Sequence, residues 1–186
     1  EISCSLVGSE MCIRDRYKHK LKLIEKGAKR LGINIIETCL RDGASADKEL
    51  TSADRILCDV PCSGLGVLSR KPEIRYKDDL IDTDLADIQY KILCESAKYL
   101  KKGGKLVYST CTLNPQENNK NTAKFLAEHN DFEGVELELP PELKRAFDEK
   151  PYEITLMPHN FDGDGFYIAA GSYTHLRAHE TAANLV

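Results

Sequence analysis

The chain reads as an α/β protein with a mostly parallel sheet, helices on both faces and an antiparallel hairpin at its C-terminal end. Three observations carry that reading. Strand-length runs of apolar and β-branched residues alternate with amphipathic helical segments, the order from which parallel sheets are built. Two runs, Ile56-Leu57-Cys58-Asp59 and Lys105-Leu106-Val107-Tyr108-Ser109, end abruptly in polar residues followed by small-residue loops. The last two β runs are joined by a long irregular stretch instead of a helix, which suits antiparallel pairing at a sheet edge.

Each element has its own signal. Residues 17–31 place Leu21, Ile24, Ala28 and Leu31 on one helical face, with lysines around the rest and Gly32 as the stop. The lysines read as a solvated face more readily than as a nucleic-acid patch. Residues 33–39 alternate and are β-branched, which predicts a strand ending in the turn 40–44. Residues 55–59 form an unbroken apolar run, which predicts a strand buried on both faces. Residues 84–100 form an amphipathic helix with Leu85, Ile88, Ile92, Leu93, Ala97 and Leu100 in its buried stripe. Lys101-Lys102-Gly103-Gly104 ends it, and 105–109 is the next strand. Asn114-Pro115-Gln116-Glu117 has an N-cap residue, proline at N1 and glutamate at N3, so a helix is expected from there to about residue 128. The runs 132–139 and 165–170 are the hairpin strands, with one short helix expected over 142–148.

Composition narrows the class. With 41% hydrophobic and 30% charged residues among 186, the chain has enough apolar material for one domain with a real core. No run approaches the roughly 18 apolar residues of a membrane span, and no export signal opens the chain. A net charge of -4 excludes a protein whose whole surface coats nucleic acid and leaves room only for a local basic patch. The seven cysteines are an odd number and none stands in a CxxC pair, so reduced thiols are expected, not a disulfide framework. Residues 1–16 and 172–186 resemble translated sequencing adapter, the alternative being natural termini. They are set aside, and 17–171 is read as the native domain.

Two segments carry chemistry. Asp59-Val60-Pro61-Cys62 puts an acid at a strand end, where it can accept hydrogen bonds from an amine or hydroxyl or simply cap the next turn. Pro61 restrains the backbone before Cys62, and Ser63-Gly64 permits close approach of a ligand. Cys111, between a strand end and the expected helix N-terminus, is either a thiolate favoured by the helix dipole or a small residue in a tight turn.

Together the two segments resemble the RNA cytosine-5 methyltransferases of the Nol-Nop-Sun family, and within it the bacterial Sun branch that modifies small-subunit ribosomal RNA. The likeness rests on Asp59–Gly66 followed by Arg70-Lys71-Pro72-Glu73-Ile74-Arg75, on Ser109–Asn118, and on Asp164-Gly165-Phe166 preceded by Pro158-His159. It covers essentially all of 17–171. It implies a Rossmann-like class I methyltransferase sheet. It also implies S-adenosylmethionine as cofactor, ribosomal RNA as partner, and a monomer in the cytoplasm without metal or membrane. Cys111 is then the nucleophile, Cys62 the cysteine that assists product release, and Asp59 the acid on the N3/N4 edge of the base. Asp42 matches the cofactor acid near the adenine, Asp59 can touch the cofactor too, and Asp15 stands in the register of the ribose acid. Arg70, Lys71, Arg75 and Lys77 become candidates for the RNA backbone, against a solvated loop.

The family's glycine-rich loop, of the form Asp-x-Cys-Ala-Ala-Pro-Gly-Gly-Lys-Thr, has no match. The first central strand of the sheet is therefore expected to be lacking, the chain to be an N-terminally truncated catalytic domain, and its own turnover to be nil. Two other classes stay open: a non-catalytic RNA-binding or ribosome-assembly module on the same fold, and, more distantly, a thiol-redox protein.

Overall fold

A computed structural model describes residues 2–7, 10–45, 52–76, 83–141, 143, 150–160 and 163–174. Strands β1 (Ile2–Val7) and β2 (Glu10–Asp15) precede helix α1 (Lys18–Leu31) and strand β3 (Ile36–Leu40). Then come β4 (Ala53–Asp59), two single 3-10 turns over Leu65–Val67 and Pro72–Tyr76, α2 (Thr83–Ala97), β5 (Leu100–Thr110) and α3 (Asn119–Glu128). Three strands close the chain: β6 (Phe132–Gly134), β7 (Glu153–Leu156) and β8 (Phe166–Tyr173).

All eight strands form one sheet in the order β3-β2-β1-β4-β5-β8-β6, with β7 also on β8. The pairings β2–β3 and β4–β5 are parallel, and β1 and β8 run antiparallel to every neighbour, so six of the eight strands point the same way. The common strand direction expected of a parallel-rich sheet and the antiparallel C-terminal pair are both present, while the reversed β1 and β8 make five of the seven pairings antiparallel. From β1 the connections β2–α1–β3 and β4–α2–β5 step outward in opposite directions. Right-handed crossovers then set α1 and α2 on opposite faces. The change of direction at β1 is the place where such sheets hold ligands, outside the carboxyl ends of the parallel strands.

Residues 1–16, set aside in the sequence reading, contribute β1 and β2. β2 takes the position beside β3 and ends in Asp15. β1 fills the central slot but runs the opposite way, pairing Ile2 with Asp59 and Leu6 with Arg55. The slot is thus occupied, while the parallel first strand with its glycine-rich loop is not among the described residues.

Local chemistry explains the other departures. β3 starts at Ile36 because Ile33 belongs to the helix cap: Gly32 is left-handed at φ 69, and the Ile33 N–H donates to Ala28 O at 2.9 Å. β5 begins at Leu100, well before Lys105, because a bulge with Gly103 at φ 77 keeps the lysine-glycine stretch in the sheet. β7 lies in the stretch read as irregular. It and β6 divide the second edge of β8, which neither covers alone. The helix expected over 142–148 falls outside the described residues.

β4 is covered on one face only among the described residues. Ile56 and Cys58 are buried under α2 and the core, whereas Leu57 is 42% exposed, contrary to the expectation of burial on both faces. The core lies on the α2–α3 face, where Leu93, Tyr108, Phe125 and Tyr167 pack. The Tyr108 and Tyr167 rings meet edge to face at 6.3 Å.

Candidate active site at the strand ends

The carboxyl ends of β4 and β5 lie side by side, Asp59 paired with Ser109. The loop after each strand therefore starts from the same place, and the two cysteines meet. Cys62 Sγ and Cys111 Sγ are 3.0 Å apart, both half-buried. Main-chain bonds hold the loops together: Val60 N–H donates to Ser109 O at 3.3 Å, and Gly66 N–H to Cys111 O at 3.0 Å.

The thiol pair is not symmetric. Cys62 is set more deeply, and the contact with Cys111 and loss of hydration both push its thiol up. With Cys111 as the thiolate, Cys62 is the thiol left to donate, and this contact lowers the Cys111 thiol to about 7 despite its own partial burial; Lys71 adds to the lowering. The helix-dipole explanation is corrected. Residues 115–118 form a turn, and α3 begins only at Asn119. A helix dipole fades within a turn, so Cys62 takes its place as the stabilising donor.

Asp59 is open to solvent at the rim, yet the neighbouring walls raise its carboxyl above the ordinary range through partial dehydration. The Ser109 hydroxyl donates to it at 3.5 Å. Asp42 follows β3, two residues past its end, and is exposed. Its carboxylate accepts the Ala44 N–H at 3.0 Å in a tight turn. Asp15 sits at the end of β2 on the same rim, but its side chain is buried, accepts the Tyr17 N–H at 2.7 Å and lies 3.8 Å from Lys20 Nζ. Three acids thus stand at successive strand ends, two of them open.

The basic loop is placed beside this rim only in part. Arg70 is committed to Asp164 through a 2.9 Å ion pair, which Ser69 reinforces with a 3.0 Å hydrogen bond to the same carboxylate. Lys71 and Arg75 are exposed. Lys77 lies outside the described residues.

Sequence reasoning missed the buried polar cluster under the cysteines. Glu117, 1% exposed, was read as the N3 glutamate of a capping box. In the structure the Asn114 N–H donates to Thr112 Oγ1 at 3.3 Å, which leaves the Glu117 carboxylate for other donors. It accepts from Ser63 N–H at 2.9 Å, Ser63 Oγ at 2.6 Å, Gln89 Nε2 at 2.8 Å and Asn114 Nδ2 at 2.9 Å. Gln89, fully buried in the apolar stripe of α2, also donates to Pro61 O at 2.7 Å. A glutamine inside an apolar stripe is the signal that could have found it, because such a group must be satisfied from within. The glycines of this loop also have a different reason. A Cβ on Gly66 would lie 2.0 Å from Gly165 O, so that glycine makes room for backbone and not for a ligand.

Residues 7–171 match the family described as 16S rRNA methyltransferase RsmB/F. The probable ribosomal RNA small subunit methyltransferase B of Bacillus subtilis is 43% identical over 162 residues, covering 84% of this chain and 36% of that protein. Its namesake from Synechocystis is 36% identical over 160 residues, covering 83% and 35%. The crystal structure of NSun6 from Pyrococcus horikoshii with SFG superposes with a TM-score of 0.77 at 26% identity, covering 88% of this chain and 41% of that one. The chain spans about a third of the length of these curated relatives. By the match over residues 7–171, most of its length, the chain belongs to the RsmB/F family of 16S rRNA methyltransferases.

Proposed function

We propose that the protein to which this chain belongs transfers a methyl group from S-adenosylmethionine to C5 of a cytidine in small-subunit ribosomal RNA in the cytoplasm, by way of a covalent cysteine adduct. The observation that carries the reading is the thiol pair, 3.0 Å apart, beside an acid at the strand-end rim. C5 of cytosine is a poor nucleophile. Addition of the Cys111 thiolate to C6 forms an S–C6 bond and moves the C5–C6 π electrons into the ring, which makes C5 electron-rich. Asp59, with its carboxyl raised, is suited to share a proton with N3 and accept from the N4 amine as charge builds on the ring. Cys62 stays a thiol and assists the later step, in which C5 loses its proton and the S–C6 bond breaks. The base must leave its stack to reach the rim, and Lys71 and Arg75 are the exposed cations for its backbone.

S-adenosylmethionine supplies the methyl group when bound. Asp42 and Asp59 are the open acids suited to the cofactor, and Asp15 has the register but is buried against α1. The central slot, however, holds β1 in the reverse direction, so the described residues offer no loop for the methionine end and do not fit the complete cofactor. This supports reading 17–171 as part of a larger catalytic domain.

The test uses the full-length parent and RNA. Cys111→Ala should abolish methylation and every covalent complex. Cys62→Ala should leave a protein–RNA adduct that survives denaturation. If the two variants behave the other way round, their roles are exchanged. Salt-sensitive RNA binding with no adduct from any variant would favour the non-catalytic module instead.

A further inference from the structure

We propose that Glu117 is a positioning residue that fixes the spacing of Cys62 and Cys111. Ser63, next to Cys62, and Thr112, next to Cys111, are joined Oγ to Oγ at 2.7 Å, so the neighbours of the two thiols are bonded as the thiols themselves are. The Ser63 hydroxyl has one hydrogen, and it goes to Glu117 Oε1 at 2.6 Å. The Thr112 hydroxyl is therefore the donor to Ser63, and a directed chain runs Thr112 to Ser63 to Glu117.

The carboxylate closes this chain on both sides. Oε1 also takes Asn114 Nδ2 from the Thr-Cys loop, and Oε2 takes the Ser63 N–H from the Pro-Cys loop and Gln89 Nε2 from α2. Its own main-chain oxygen is held by the Tyr108 hydroxyl at 2.6 Å, on the strand that leads to Cys111. Both loops and one helix thus converge on one buried acceptor with four donors. Glutamine has the same shape but would turn one oxygen into an NH2 group. That group would face Ser63 N–H and Gln89 Nε2 at the Oε2 place, or Ser63 Oγ and Asn114 Nδ2 at the Oε1 place, where only the hydroxyl can turn to accept, so at least one of the four bonds is lost. The two loops, still joined through Gly66 N–H and Cys111 O, are then held less closely at the cysteines, and the donation from Cys62 that favours the Cys111 thiolate weakens.

The measurement needs neither RNA nor cofactor, so its result is independent of the proposed reaction. Iodoacetamide alkylation of Cys111 in the folded chain is followed across pH by peptide mass spectrometry. Glu117→Gln should move the midpoint upward by about one pH unit, toward the ordinary thiol value near 8.5. That shift makes alkylation near pH 7 several-fold slower. Ser63→Ala, which removes the Thr112 link and one bond to Glu117 while leaving the other three, should move it in the same direction by less. If Glu117→Gln does not fold, Ser63→Ala decides. An unchanged midpoint in a folded Glu117→Gln protein, or in Ser63→Ala where that is the one that folds, overturns the proposal even if thermal stability falls, because lost stability alone is what a purely structural group would give.

Discussion

The Gly165 N–H donates to Gly66 O at 2.8 Å, and a Cβ built on Gly66 would stand 2.0 Å from Gly165 O. The loop before β8 is thereby pressed onto the Pro-Cys loop, which in turn lies on Cys111 O. Gly66→Ala should destabilise the chain by about 2–3 kcal/mol, since backbone on backbone cannot repack as side chains do. Gly27, inside α1 with nothing within 4 Å of its Cβ position, makes the contrast. Gly27→Ala should stabilise by about 0.5–1 kcal/mol. Urea denaturation of both variants checks the pair, and equal effects would mean that the glycine contact is not a packed one.

The thiols differ in their expected pH response. Cys111, lowered to about 7, is protonated and slow to alkylate below that pH and reacts as thiolate above it. Cys58, fully buried, is pushed up to about 12 and should stay unlabelled at pH 8 in the folded chain. Mass-spectrometric mapping after brief labelling separates the two, and labelling of Cys58 as fast as Cys111 would contradict this geometry.

Charge in the basic loop is unevenly available. Arg70 is already paired with Asp164, whereas Lys71 is exposed. In the full-length parent, Lys71→Ala should reduce the salt dependence of RNA binding by about one ion, and Arg70→Ala by less. Binding isotherms at several salt concentrations measure the slopes. Equal slopes for the two variants would remove the distinction.

Methylation by this chain alone should be undetectable with tritiated cofactor, because β1 runs backwards through the slot where a loop for the methionine end belongs. Efficient transfer would show that the cofactor can be held without that loop.

Much of this protein was legible in its residue order. The helices at 17–31 and 84–100 were read within a few residues, because apolar spacing on a helix is a local property. The pairing of Asp59-Val60-Pro61-Cys62 with Ser109-Thr110-Cys111 was legible as well, since both follow apolar runs that end abruptly. β7 was not, because four residues of strand take their meaning from the open edge of β8. The opposite runs of β1 and β2 were not legible either: orientation in a sheet is set by the partner strand.

By itself, the sequence determined the two long helices and the strands that lead to the site, which residues carry reactive groups and which family the motifs resemble. Only the tertiary structure decided what those groups do to one another. It set two sulfurs 3.0 Å apart, so that one thiol donates to the other and breaks their equivalence. It also turned Glu117 from a helix cap into the buried acceptor between two loops. The physical reason is the same in both cases. A hydrogen bond or a thiol's acidity depends here on distances between groups 28 to 54 residues apart in the chain, and no local pattern encodes them.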